Sequence, residues 1–186
     1  MSSFMKERTV IKMRFASSRD IYIRRALTVL LVFVTAVFQH SGFIPELFGA
    51  SAMLLVPLTV CIAMFERSIP GMCFGVLAGI LWDFALSGGD GFFSVMLTAV
   101  GFFSGMLVTF VFRNNIRAAL ILSFGALTVC NVSYWLMFIL RKGYEGATEL
   151  LFTGYIPSVL YSLVFVFVYY YAVSFIFRLT SEKKKG

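Results

Sequence analysis

Asp83 is the residue whose surroundings ask most of it. It ends the uncharged stretch Gly71-Met-Cys-Phe-Gly75-Val-Leu-Ala-Gly79-Ile-Leu-Trp82-Asp83. If that stretch crosses a bilayer, an ionised carboxylate there costs about 2.5–3.5 kcal/mol at mid-depth and less toward the surface. Such a group either turns inward to find donors or serves a proton or a ligand. Candidate donors are Asn131, Ser133, Tyr134 and the amides of a Gly88-Gly89 turn. Other chemistry is thin. Asp90 lies seven residues on, but Gly88 and Gly89 break the helix between them. Ser87-Gly88-Gly89-Asp90 is not the GxGD of an intramembrane aspartyl protease. His40 is the sole histidine, and no nucleophile is placed with it for Ser/His/Asp catalysis. Cys61, Cys73 and Cys130 sit in apolar runs, form no CxxC, and read as small apolar residues. There is no HExxH and no phosphate-binding loop. We expect no enzyme, no metal and no cofactor.

The elements that would carry these residues follow from composition. Hydrophobic residues make up 60% of the 186, and charged residues only 13%. Soluble domains hold about 45–50% apolar and 25% charged residues. The apolar residues run in long blocks with charges between them, which predicts an all-α polytopic membrane protein. Six spans are expected: Ala26–Phe43, Leu47–Phe65, Ile69–Leu86, Phe92–Phe112, Ala118–Leu140 and Leu150–Phe177. Glu66 to Pro70 form a tight turn, and Ser87-Gly88-Gly89-Asp90-Gly91 forms another. Residues 1–25 and 179–186 are basic tails flanking a 26–178 transmembrane domain.

The net charge of +7 fits the same reading. With both tails on one side, fourteen of the sixteen lysines and arginines lie on that side. Only Arg141 and Lys142 lie on the other. The positive-inside rule then makes both termini cytoplasmic. The basic excess needs no nucleic-acid partner; its natural neighbour is the lipid bilayer. The first span reads as an uncleaved anchor, because a basic tail precedes it and no A-x-A-like site follows. Trp82, Trp135 and the tyrosines near span ends read as interfacial anchors.

Small residues give the second pattern. Gly71, Gly75 and Gly79 recur every four residues, which puts them near one helix face. Gly101 and Gly105 offer a similar face on the fourth span, and Gly154, Ser158 and Ser162 one on the sixth. Such faces let helix backbones approach closely in lipid. They serve either packing between spans or the docking of a partner helix.

The Gly71–Asp83 motif resembles that of the MreD rod-shape-determining proteins, together with the Ser87-Gly88-Gly89 turn, Gly91, the small residues of span 4 and Phe112-Arg113-Asn114-Asn115. Pro157 near the start of the last span and its basic end extend the likeness. The resemblance covers about three quarters of the chain; the long basic N-terminal tail departs from it. It implies a non-catalytic scaffold of the cell-elongation machinery in the bacterial inner membrane. The implied partners are MreC, a single-span protein with an extracytoplasmic domain, and, through the complex, RodA, a class B penicillin-binding protein and the actin-like MreB. The same pattern looks like the substrate-binding S components of energy-coupling-factor vitamin transporters. That likeness implies a shared six-helix fold and, as the alternative function, a vitamin-binding module, whose polar, aromatic-lined pocket near the outer face Asp83, Trp82, Trp135 and Asn131 could line.

Overall fold

The computed structural model describes residues 18–41, 52–85, 91–110, 114–140 and 156–182. Among these every regular element is helical. Six helices follow in order: α1 (Ser18–His40), α2 (Leu55–Glu66), α3 (Ser68–Ala85), α4 (Phe92–Phe110), α5 (Ile116–Tyr134) and α6 (Ile156–Glu182). α5 runs on into a π-helical turn over Trp135–Leu140. Five of the six are long and apolar enough to cross a membrane, so this is a multi-pass membrane protein by length and composition. In lipid the helix is the natural outcome of such runs, because it satisfies its own backbone polar groups.

The exception is α2. A span was expected over Leu47–Phe65, yet residues 52–54 are not helical and α2 begins only at Leu55. Twelve residues rise about 18 Å, short of the ~30 Å hydrocarbon core. α2 instead forms the centre of the bundle. It touches all five other helices. Eleven of its twelve residues are buried, among them Leu55, Leu58, Cys61 and Ile62. A helix apolar on every side suits such a buried position. Pro57 sits in its first turn, where no intrahelical amide bond is lost.

The start of α1 shifts by as much as that of α2, in the opposite direction. α1 starts at Ser18, so the end of the expected basic tail is already helical. α3, α4, α5 and α6 match four expected spans within the described residues. The N-terminal end of α1 and the C-terminal end of α6 meet, with the Arg24 guanidinium 4.4 Å from the centre of the Phe177 ring. The bundle therefore has an Arg24 end and, opposite, an Asp83 end.

α3 and α4 form the tightest pair. A Cβ on Gly75 would stand 2.2 Å from the Leu97 carbonyl oxygen, and one on Gly101 2.3 Å from that of Gly71. A Cβ on Gly105 would meet the backbone of Arg67 and Ser68 at 2.6–2.7 Å. The two glycine faces are thus in direct backbone contact along the whole pair. Gly105 also makes room for the turn between α2 and α3, where Arg67 holds φ at 75°.

Candidate functional site

Asp83 lies near the end of α3, buried to 8% exposure. Its donors come from α4. Oδ1 accepts the Phe93 N–H at 3.1 Å, and Oδ2 accepts the Ser94 N–H at 2.8 Å and the Ser94 hydroxyl at 2.5 Å. Phe93 and Ser94 are the second and third residues of α4, whose amides have no partner within the helix. Asp83 caps the N-terminus of a neighbouring helix, where a negative charge also meets the positive end of the helix dipole.

The sequence explains why the cap comes from elsewhere. Gly91 precedes α4 with φ at 69° and has no side chain to cap with. Gly79 supplies the geometry. A Cβ there would stand 2.3 Å from the Ser94 Cα, so only a glycine lets α3 lie against Ser94. One helical turn later, Asp83 is within reach of the same residue. The Gly-x-x-x-Asp spacing is a close approach followed by a hydrogen bond.

Around the carboxylate the side chains are aromatic. Trp82 stacks on Phe93 with centroids 4.2 Å apart and planes 3° from parallel. Phe93 lies 5.8 Å from Tyr134 of α5, and His40 of α1 meets Trp82 edge-on at 6.4 Å. This plate ties four helices together at the Asp83 end. His40 Nδ1 bonds the Ala36 carbonyl one turn back in α1.

Asn131 was a candidate donor to Asp83, and the structure corrects this. Its amide donates to the Leu127 carbonyl of its own helix at 3.0 Å. Its Oδ1 has no partner among the described residues. Asn131 lines an apolar groove of about 350 Å³ between α5 and α6, with Val132 and Leu160. Asp83 and Asn131 do not share a site; the carboxylate is spent on α4. Trp135 opens the π-helical turn above Asn131, its N–H shared between the Asn131 and Val132 carbonyls.

The small-residue faces are likewise occupied. Gly71, Gly75, Gly79, Gly101 and Gly105 meet backbone or Ala63 within the bundle, which leaves no open glycine face on α3 for a partner helix. Ser158 and Ser162 are buried in α6. Ser162 Oγ accepts the Met53 N–H at 2.9 Å and donates to the Ser158 carbonyl. Gly88, Gly89 and Gly154 lie outside the described residues.

Two features escaped sequence reasoning. First, Arg24, read there as a tail charge, forms a two-pronged ion pair with Glu66: Nε to Oε1 at 2.8 Å and Nη2 to Oε2 at 3.2 Å. The Glu66 side chain is 2% exposed. Second, the short α2 has its ends satisfied by others. Gln39 of α1 accepts the Leu55 N–H at 3.0 Å, Ser162 that of Met53, and Asn114 donates to the Met64 carbonyl at 3.4 Å. Glu66 closing an uncharged run was the available signal for the first; nothing local marks Gln39.

No cluster of three or more histidine, cysteine, aspartate or glutamate side chains fit to hold a metal occurs among the described residues. All three cysteines are free, and Cys73 alone is exposed. Comparison with family models, curated proteins and solved structures finds no match.

Proposed function

We propose that this protein is a non-enzymatic scaffold of the bacterial cell-elongation machinery, holding an MreC-like single-span partner in the cytoplasmic membrane. RodA and a class B penicillin-binding protein would join through that partner, and MreB on the cytoplasmic side. The Arg24 end faces the cytoplasm in this reading, which follows the lysine and arginine bias. The observation that supports it best is the use made of Gly71–Asp83, the segment on which the MreD resemblance rests. Every conspicuous residue in it holds α3 to α4. A vitamin-binding reading would want Asp83 free to meet a ligand, and both its oxygens are taken.

With the glycine face filled, the partner helix needs another seat. The α5–α6 groove beside Asn131 is the one we assign to it, since a buried amide oxygen there still accepts a hydrogen bond. The test is affinity capture of the tagged protein from its native membrane, with co-purifying proteins identified by mass spectrometry. The reading predicts a single-span protein with an extracytoplasmic coiled coil, together with wall synthases. Val132→Trp and Leu160→Trp, both at exposed positions of the groove, should abolish that recovery without lowering the thermal midpoint. Recovery of paired ATPases with a coupling membrane subunit would replace the scaffold with a nutrient-binding component.

A further inference from the structure

A second groove, of about 400 Å³, opens between α1 and α3 at the Arg24 end. Its wall is apolar: Val29 on one side, and Ile69, Cys73, Phe74 and Leu77 on the other. Its mouth carries Arg25. The two adjacent arginines have opposite fates. Arg24 is neutralised by Glu66. Arg25 is exposed and has no ion pair among the described residues, and no carboxylate lines the groove. From Ser68 at the start of α3 to Leu77 the wall is about 13 Å deep, close to one leaflet's ~15 Å of hydrocarbon.

We propose that this groove is a binding site for one anionic phospholipid. The acyl chain lies along Phe74 and Leu77, and the phosphate meets the Arg25 guanidinium. The charge pattern selects the occupant. An unpaired guanidinium above an apolar slot complements a group with a negative head and a hydrocarbon tail. The chain's own N-terminal segment does not, since Lys6, Arg8, Lys12, Arg14 and Arg19 make it basic like the groove mouth. Arg25 lies only four residues inside the apolar window that begins at Ile21, so its guanidinium can reach the headgroup level.

The test is native mass spectrometry of the full-length protein, released from detergent containing equal amounts of phosphatidylglycerol and phosphatidylcholine. The wild type should retain phosphatidylglycerol preferentially. Arg25→Gln should lower the ratio of the two adducts about fivefold. Cys73→Trp, at an exposed position, should lower total lipid retention by filling the slot while leaving Arg25 in place. Arg117→Gln removes an exposed cation outside the groove and should change neither. Equal retention of the two lipids by the wild type would overturn the proposal. So would an unchanged ratio in Arg25→Gln, full retention by Cys73→Trp, or an equal loss in Arg117→Gln.

Discussion

At the residue scale, the behaviour of Asp83 rests on charge and three donors. Hydrogen bonds to charged groups contribute about 1.5–3 kcal/mol each to stability. Asp83→Asn keeps the shape but loses the charge, and its amide cannot accept from every donor. It should lower stability by about 2 kcal/mol, read as a fall in thermal midpoint in detergent. A variant with an unchanged midpoint but no cellular activity would instead make the carboxylate a functional group. Arg67 works in the opposite direction. Its backbone, at φ 75° and ψ −177°, lies in a region that only glycine adopts freely. Arg67→Gly should therefore stabilise the protein by about 1–3 kcal/mol, measurable by the same unfolding assay. That Asp83 needed a partner was legible in the sequence, because a carboxylate in an apolar run must be satisfied. Which partner was not. The donors belong to a helix terminus brought near by Gly79, and a missing cap at Gly91 is visible only once that helix start is known.

At the element scale, the α3–α4 pair sets a sharp contrast among glycines. A methyl group at Gly75 would overlap the Leu97 carbonyl, so Gly75→Ala must push two backbones apart. Overpacking of this kind costs about 1–3 kcal/mol. Gly125 of α5 is exposed, with nothing within 4 Å of its missing Cβ. Gly125→Ala removes only backbone freedom and should raise helix stability by up to ~1 kcal/mol. Measuring both midpoints side by side separates a packing glycine from an incidental one. The five long helices were legible because charge and turn residues bound their apolar runs. α2 was not legible as a short helix. The uncharged Leu47–Phe65 run has the length of a span, and hydropathy cannot reveal that residues 52–54 leave the helix. That departure rests on Gln39 and Ser162, hydrogen-bonding groups 16 and 109 residues away in sequence.

At the scale of the whole molecule, the Arg24–Glu66 pair and the Phe177 ring join α1, α2 and α6 at one end, as the Trp82 plate joins four helices at the other. Removing one member of a buried ion pair leaves an uncompensated charge and costs about 3–5 kcal/mol. Arg24→Met should do this, because Glu66 is the more deeply buried partner. The double variant Arg24→Met with Glu66→Leu removes both charges and should recover most of the loss. A double-mutant cycle in thermal unfolding measures the coupling, and strict additivity would mean that the pair contributes nothing to the fold. The positive bias legible in the sequence counted Arg24 among the free charges. It could not tell an orienting charge from one enclosed against a partner 42 residues on.

The arrangement around α2 also has a consequence in time. The chain is synthesised from its N-terminus, and α2 emerges second of the six described helices. The hydroxyl that accepts the Met53 amide and the ring above Arg24 both belong to α6, the last of the described helices to be made. Until α6 arrives, the first five helices surround a core that lacks one wall and leaves a backbone donor open to lipid. Truncation of the chain before Ile156 should therefore leave a misassembled bundle open to degradation, whereas truncation after Glu182 should leave all six described helices able to close.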